Sequence, residues 1–360
     1  MGAVARTLAL RLRSQGLTTT RASRVDAVAA RLVGVQAQDL AFARLAFRPR
    51  STGLRAADVD AALGERALVW TWLMRGTLHL VAAEDAGWLL GLLGPIFAAK
   101  GRPRRLALGL DDALCERALE VLRDVLAAEG PQTRAALAAR LPIDPDGQAP
   151  AHLLAYAALR GVVCRGPLAA GREPTYVLLE DWLGGAPAPL DEERALARLA
   201  RRYLAGHGPA TAHDLAAWSG IGLRRARRGL EQIAGELCDA GDGGSMLTCA
   251  EASATADECA TADAPAYTTA GPQVALLGHF DPYLLGYASR DLVLDPRFAK
   301  RIQAGGGFIA PAILVDGRVA GTWRRGPRDW LEPFTPLAGD ALAAIERERA
   351  DVERFLAAAP

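Results

Sequence analysis

Gly130-Pro-Gln-Thr-Arg-Ala-Ala-Leu-Ala-Ala-Arg140 is nearly repeated by Gly208-Pro-Ala-Thr-Ala-His-Asp-Leu-Ala-Ala-Trp218, 78 residues later. Gly, Pro, Thr, Leu and two Ala residues recur at the same offsets. A repeat of this length indicates one supersecondary unit that the chain uses twice. In each copy the Gly-Pro pair is predicted to end a helix, and Thr133 or Thr211 is predicted to cap a short second helix.

The sequence around both copies predicts a three-helix unit, because leucines recur there at helical spacing. The first and third helices are predicted at 114–129, 149–159, 192–205 and 223–233. After the first copy, two strands are predicted at 162–165 and 175–179, joined by a glycine-rich turn. Three helices followed by a hairpin are typical of a winged helix, a variant of the helix-turn-helix.

The two ends of the chain show weaker versions of the same signals. Near the N-terminus, helices predicted at 4–13 and from about residue 20, with strands at 69–75 and 77–81, indicate a diverged winged helix. Near the C-terminus, Asp316-Gly317 between two apolar runs predicts a hairpin with a type I′ turn, and a last helix is predicted at 340–357. We therefore divide the chain into domains at 1–110, 111–187, 188–275 and 276–360.

Composition excludes several classes of protein. The 360 residues are 51% hydrophobic, which is ample for a buried core. No run of about 18 apolar residues predicts a membrane span, and Arg11 and Arg13 interrupt the early apolar run, so a cytoplasmic protein is expected. The five cysteines are scattered and indicate neither a metal site nor disulfides, and Gly305-Gly-Gly307 lacks the lysine of a phosphate-binding loop. No cofactor is expected.

The charge is unevenly distributed, although the net charge is only +1. The segment 229–289 has nine acidic residues and no Lys or Arg, so the other 299 residues carry a net charge of +10. A basic body suits a polyanionic partner, but many ordinary proteins show the same asymmetry. The acidic stretch 239–270, rich in Ala, Ser and Thr, is interpreted as a mobile insert in a wing or linker.

The segment Gln36-Ala37-Gln38-Asp39 follows a predicted helix and carries the candidate chemistry. In an extended backbone, positions i and i+2 point to the same side, so both carboxamides could hold one water molecule or one sugar. In a continuing helix they would diverge. The alternative is structural: the two glutamines cap a helix end or bond a loop.

Four segments together identify a resemblance to a known family. They are Leu32–Asp39, Thr71–Leu80, Phe280–Tyr287 and Gly317–Arg324. In this combination and order the chain resembles the winged-helix DNA glycosylases of the AlkZ/AlkX (YcaQ) type, with the Gln-x-Gln motif of the AlkZ branch. One departure is Gly278-His279, which stands where the family pattern has Pro followed by a basic residue.

The resemblance implies an α+β, mainly helical fold, in which tandem winged helices form a concave channel for double-stranded DNA. It also implies excision of N7-alkylated guanines, including some interstrand crosslinks, and often self-resistance to a DNA-alkylating natural product. An N7-alkylguanine is already cationic and leaves as a neutral base, so no strong general acid is needed. Gln36 and Gln38 would position water and stabilise the sugar cation, and Asp39 would add negative charge or take the water's proton.

Other residues are assigned more broadly. Arg75 and His79 are candidates for the active cleft, although a buried structural role is the alternative for His79. The arginines assigned to DNA phosphates lie in a predicted loop around Pro103, on the third helix of the second copy, and at the end of the C-terminal hairpin. They are Arg102, Arg104, Arg105, Arg224, Arg225, Arg227, Arg228, Arg324 and Arg325. A solvated helix face is the alternative for the four on the third helix.

The main functional hypothesis is a monofunctional glycosylase that leaves an abasic site and does not cut the strand. A winged-helix transcription regulator without catalysis is the rival, and a lesion sensor that has lost catalysis is a third option. Several winged helices in one chain reduce the need for the dimer symmetry of many regulators, so a monomer is expected. The Gln-x-Gln segment also lies outside any predicted recognition helix.

Overall fold

The structure, a computed structural model, describes residues 2–18, 21–169, 173–186, 190–241, 244–248, 271–326 and 328–357. The sequence predicts that the acidic insert 239–270 is mobile. Most of this insert lies outside the described residues, so the prediction does too. The chain divides into two compact units. Unit 1 combines Met1–Ala61 with Leu196–Pro360, and unit 2 is Ala62–Ala195.

The elements of the described residues define an α+β fold that is mainly helical, as the sequence predicted. The α-helices are α1 Ala3–Ser14, α2 Val25–Leu32, α3 Leu40–Phe47, α4 Ala56–Gly64, α5 Ala83–Ala107, α6 Asp112–Glu129, α7 Arg134–Ala138, α8 Ala149–Leu159, α9 Leu179–Leu183, α10 Glu192–His207, α11 Ala212–Ser219, α12 Leu223–Gln232, α13 Pro282–Leu285, α14 Ala299–Ile302 and α15 Gly339–Leu356. The strands are β1 Val35–Gln36, β2 Leu68–Trp72, β3 Leu78–Ala82, β4 Gln132–Thr133, β5 Val163–Leu168, β6 Pro174–Leu178, β7 Leu237–Asp239, β8 Ser245–Leu247, β9 Val274–Leu277, β10 Ala312–Val315, β11 Arg318–Trp323 and β12 Leu331–Pro333.

Unit 2 contains the first copy of the repeat in the element order of a winged helix: α6, β4, α7, α8, β5 and β6. Gly130 ends α6 at φ 72°, a left-handed value that glycine adopts without strain. Thr133 caps α7, because its hydroxyl accepts a hydrogen bond from the Ala136 N–H at 3.2 Å. The five strands of this unit are ordered β3-β2-β5-β6-β4, and β2 pairs with β3 as the predicted N-terminal hairpin.

The second copy lies in unit 1, where α10, α11, α12, β7 and β8 follow the same order. Thr211 forms a complete capping box with Asp214, each side chain bonding the other's backbone N–H. Ala210 bridges to Ser245 and takes the place of the first strand of the motif. The predicted limits of the third helices agree with α8 and α12 to within a residue.

The C-terminal sheet of unit 1 has the order β12-β11-β10-β9. Asp316 and Gly317 have φ values of 47° and 80°, so both central residues of the β10–β11 turn are left-handed, which is the geometry of a type I′ turn. Leu8 and Leu12 of α1 join the core of this sheet. Burial of one such leucine contributes about 1.5–3 kcal/mol, so this core ties the N-terminal helix to the C-terminal sheet.

A buried ion pair reinforces unit 1. The guanidinium of Arg50 donates to both carboxylate oxygens of Asp281, at 2.7 and 2.9 Å, and both side chains are fully buried. Gln15 accepts a third bond from Arg50 at 2.9 Å, and Asp281 also caps α13. Removing one partner of such a pair costs about 3–5 kcal/mol. Asp281, in the Phe280–Tyr287 segment, therefore has a structural role: it connects Arg50 to the start of α13.

None of the described helices is both long enough and apolar enough to cross a lipid bilayer. The domain limits drawn from the sequence stay a prediction.

Candidate active site and DNA-contact residues

The chain enters the Gln-x-Gln segment through a sharp turn after α2. Val33 and Gly34 have φ values of 58° and 137°, and the chain then becomes extended at Val35 and Gln36. A left-handed β-branched residue costs about 1–3 kcal/mol and persists only where its surroundings fix it. Val33 is 1% exposed, so packing of its side chain holds the turn.

The two glutamines lie on either side of a side chain that points into the protein. Ala37 is completely buried, whereas Gln36 is half-buried and Gln38 is exposed. The strand ends at Gln36 and the chain bends at Gln38, so it is the exposure of the two residues that leaves both carboxamides accessible. The arrangement suits two amides that act together on one bound group.

Asp39 has a structural task in addition to the one expected from the sequence. Its Oδ1 accepts hydrogen bonds from the Ala41 and Phe42 N–H groups, at 2.7 and 3.3 Å, and so caps α3. The side chain is exposed, and its charge acts on His279 of the same unit. Asp39 thus fixes the start of α3 directly behind Gln38.

Sequence reasoning missed the residues that hold the end of α2. Arg202 donates to the Ala30 carbonyl at 2.8 Å, and His207 Nε2–H donates to the Leu32 carbonyl at 3.2 Å. Between them, a Cβ on Gly206 would lie 2.0 Å from the Arg31 carbonyl oxygen. The last two turns of α10 therefore bind the carbonyl end of α2, which ends four residues before Gln36.

His207 is a neutral positioning residue. Because its Nε2–H donates, its Nδ1 accepts from Gln15 Nε2 at 3.1 Å, which fixes the tautomer. Complete burial lowers the pKa of the imidazole to about 3. The rings of Tyr203 and Trp218 pack at 4.9 and 5.3 Å. No local signal could identify this role, because 175 residues separate His207 from Leu32.

Packing against α3 explains the glycine of the Gly278-His279 departure. A Cβ on Gly278 would lie 2.9 Å from Leu45 Cβ of α3, so this backbone approaches α3 more closely than a side chain allows. His279 then packs on Phe42 of the same helix, with ring centroids 4.0 Å apart.

Arg75 and His79 lie in unit 2, on the β2–β3 hairpin. Arg75 is half-buried in the turn and has a φ of 56°. His79 is 2% exposed, pairs with Thr71 across the hairpin, and bonds the Thr77 carbonyl through Nδ1 at 2.9 Å. Burial, followed by the charge of Arg75, lowers the pKa of His79 to about 3. This environment favours the structural interpretation of His79.

The predicted loop around Pro103 is wrong: Arg102, Arg104 and Arg105 lie inside helix α5. Arg102 pairs with Asp112 at 2.7 Å and Arg104 donates to Gln148 at 2.6 Å, and both arginines are exposed. Arg105 is 5% exposed, because it donates to the Ala98 carbonyl and packs over the Tyr156 ring at 4.2 Å. Its guanidinium is thus occupied inside the protein.

The other assigned arginines lie on elements of unit 1. On α12, Arg224, Arg227 and Arg228 are exposed and Arg225 is half-buried, whereas Ala226 and Gly229 face the core. Arg324 and Arg325 follow β11 and line a cavity of about 620 Å³. Trp323, Trp330 and Arg349 also line this cavity, and Arg349 packs over the Trp330 ring at 4.6 Å.

Across the described ranges, no three His, Cys, Asp or Glu side chains converge where a metal ion could be held. The site described above consists of the Gln-x-Gln segment, the cap of α3 and the residues that fix the end of α2.

Fold and sequence together define the class. The profile of the family described as DNA glycosylase AlkZ-like matches residues 29–355, so this chain belongs to that family of DNA glycosylases. A related protein, the interstrand DNA cross-link repair glycosylase of Streptomyces sahachiroi, is 29% identical over an alignment of 372 positions that covers 96% of this chain and 94% of that protein. The solved structure of Streptomyces sahachiroi DNA glycosylase AlkZ superposes with a TM-score of 0.82 at 26% identity, covering 98% of this chain and 96% of that one.

Proposed function

We propose that this glycosylase hydrolyses the N-glycosidic bond of N7-alkylated guanine in duplex DNA and leaves an abasic site. The observation that carries the proposal is the position of Gln36, half-buried, and Gln38, exposed, on either side of buried Ala37. The chemistry of the leaving group makes neutral side chains sufficient. When the C1′–N9 bond breaks, its electron pair neutralises the cationic purine, and the sugar takes the positive charge.

Two tasks then remain for the protein. The carboxamide oxygens of Gln36 and Gln38 accept hydrogen bonds from one water molecule and orient its oxygen towards C1′. The same fixed dipoles stabilise the sugar cation without reorganising. When the water oxygen bonds to C1′, the water loses a proton, which passes to Asp39 or to solvent.

Replacing Asp39 with Asn separates the structural role of this residue from its chemical role. Asn is as good a helix N-cap as Asp but carries no charge. Asp39→Asn should therefore keep the melting temperature of the parent and lower the excision rate about 10-fold to 100-fold. Asp39→Ala is the matched control, since it should also reduce the free energy of unfolding by about 1 kcal/mol. If the Asp39→Asn variant excises the base at the parent rate, Asp39 caps α3 and takes no part in the chemistry.

The direct test incubates the protein with duplex DNA that contains N7-methylguanine and then cleaves abasic sites with heat or alkali. Strand breaks at the lesion above the spontaneous background support the proposal. Binding to the lesion without breaks would indicate a sensor. Tight, sequence-selective binding to undamaged DNA would indicate a transcription regulator.

We also propose that the enzyme is monofunctional, because lyase chemistry needs an amine to form a Schiff base and the sequence has only two lysines, Lys100 and Lys300. Neither lies in the Gln-x-Gln segment. Borohydride should trap no covalent adduct with lesion-containing DNA. A trapped adduct, seen as a shifted band on a denaturing gel, would contradict this part of the proposal.

The activity of the Streptomyces sahachiroi relative, by its name, includes interstrand crosslinks. We extend this to the present chain as a proposal, together with self-resistance to a DNA-alkylating product as its biological role. A crosslinked guanine is tied to the opposite strand and cannot swing into a deep pocket. The outward position of Gln38 fits an enzyme that reaches the sugar from outside. Release of one strand from a crosslinked duplex tests this extension.

A further inference from the structure

Four aromatic side chains of unit 1 form one continuous surface, here called the aromatic patch: Phe42, His279, Phe280 and Phe308. His279 is central, with ring centroids 4.0 Å from Phe42 and 4.8 Å from Phe308. Phe280 meets Phe308 edge to face at 5.3 Å. These separations are those of interacting aromatic pairs, so the four rings act as one surface.

The aromatic patch begins where the Gln-x-Gln segment ends. The Asp39 carboxylate, next to Gln38, accepts the Phe42 N–H, and the Phe42 ring packs on His279. The charge of Asp39 also acts directly on His279. A substrate group held at Gln38 therefore lies next to an aromatic surface of the same unit.

The outer edge of the patch is open to solvent. Phe308 is 41% exposed, and the other large exposed hydrophobic side chains among the described residues are aliphatic: Val4, Leu106 and Leu342. Gly305, Gly306 and Gly307, all with positive φ, form the turn that presents Phe308, whose N–H bonds the Gly305 carbonyl at 3.1 Å. A contiguous apolar patch that reaches the surface beside polar residues is typical of a binding surface.

The electrostatic environment of the aromatic patch is also compatible with a cationic ligand. Burial lowers the pKa of His279, while its hydrogen bond to the Ile309 carbonyl and the charge of Asp39 act in the opposite direction. The net lowering of the pKa favours the neutral imidazole, which does not repel a positive group. The faces of the phenylalanine rings attract one.

We propose that the aromatic patch binds the planar, apolar part of a bulky N7 substituent and so sets which guanine adducts the enzyme prefers. This inference rests on the proposed function. The N7 atom of guanine lies at the edge of the base in the major groove, so its substituent projects away from the sugar that the glutamines would hold. Phe308 then contacts large aromatic adducts and does not contact a methyl group.

The test compares N7-benzylguanine with N7-methylguanine in the same duplex sequence, corrected for spontaneous depurination. Phe308→Ala should lower kcat/KM for the benzyl adduct about 10-fold, as expected for the loss of one stacking partner, and change it less than about 2-fold for the methyl adduct. Phe308→Trp should keep the benzyl rate. Leu342→Ala, which removes an equally exposed side chain of unit 1 (39%), is the control and should change neither.

Equal losses on both adducts, or no loss on either, would overturn the inference. A parent protein that releases neither base would overturn the proposed function instead. Equilibrium affinities for the two lesion duplexes still decide about the patch in that case: a benzyl preference that disappears in Phe308→Ala supports it, and a preference that survives contradicts it.

Discussion

The two copies of the repeat share a scaffold and differ in what their third helices do. In the first copy, α8 is apolar and largely buried, and its end touches α5 so closely that a Cβ on Gly94 would lie 2.1 Å from the Leu159 carbonyl oxygen. In the second copy, α12 buries only Ala226 and Gly229 and carries four arginines. The repeated Gly-Pro-x-Thr sequence therefore specifies the helical scaffold, while the composition of the third helix determines whether it is buried in the core or presents a basic, exposed surface.

Overpacking the contact that each third helix makes with its neighbouring helix gives the largest expected effect. Gly94→Ala should lower the free energy of unfolding by about 3 kcal/mol, because the added methyl group meets backbone. Gly229→Ala should cost less, about 1–2 kcal/mol, since its Cβ would lie 2.7 Å from the Leu196 carbonyl oxygen. Both are measured by urea unfolding followed by circular dichroism.

Gly91 offers the matched control on the same helix as Gly94. It is exposed, and a Cβ there meets nothing within 4 Å. Gly91→Ala should raise the free energy of unfolding by about 0.5–1 kcal/mol, through the helix propensity of alanine alone. If Gly94→Ala behaves like Gly91→Ala, the close packing of α8 on α5 is wrong.

The assigned DNA-contact role of α12 predicts the next largest effect. Replacing Arg224 and Arg227, both exposed, with Gln should weaken duplex binding and reduce the slope of log K against log salt by about 2. Arg160, which follows α8 in the first copy and pairs with Glu116, is the control, and Arg160→Gln should leave the slope unchanged. Salt titrations with labelled duplex measure both. An unchanged slope in the Arg224/Arg227 variant would make α12 a solvated surface.

The smallest expected effect is the loss of stability when the helix-capping threonine of either repeat copy is replaced. Thr211 belongs to a reciprocal capping box, whereas Thr133 accepts one backbone bond. Thr211→Ala should therefore cost about 1–2 kcal/mol of stability and Thr133→Ala about 0.5–1 kcal/mol. Ser at either position keeps the hydroxyl and should restore most of the loss. Equal melting temperatures for the two Ala variants would show that the additional bond from the Thr211 hydroxyl to the Asp214 carboxylate contributes nothing.

Local chemistry made part of the fold predictable from the sequence. The caps Thr133 and Thr211 and the turn Asp316-Gly317 act within a few residues, and all three appear where the sequence predicted them. The helix through Pro103 was missed, because proline and three neighbouring arginines resemble a loop. Packing of α5, through Gly94 on α8 and Arg105 on Tyr156, supports that helix at long range.

The surroundings of the candidate site depend on contacts that no local pattern encodes. Arg50 and Asp281 are 231 residues apart, and His207 and Leu32 are 175 residues apart. The sequence could nominate Gln36 and Gln38 because the expected extended backbone places i and i+2 on one side. It could not identify the aromatic patch, because Phe42, His279 and Phe308 come from three distant segments.

Single-turnover release of N7-methylguanine by the Gln36→Ala, Gln38→Ala double variant tests the central claim most directly. Duplex affinity is measured in parallel, and Gln132→Ala serves as the control for loss of a carboxamide. We expect the double variant to release base about 1,000-fold more slowly or worse, with affinity close to that of the parent. A parent-like release rate in the double variant would contradict the claim that these two amides carry out the hydrolysis.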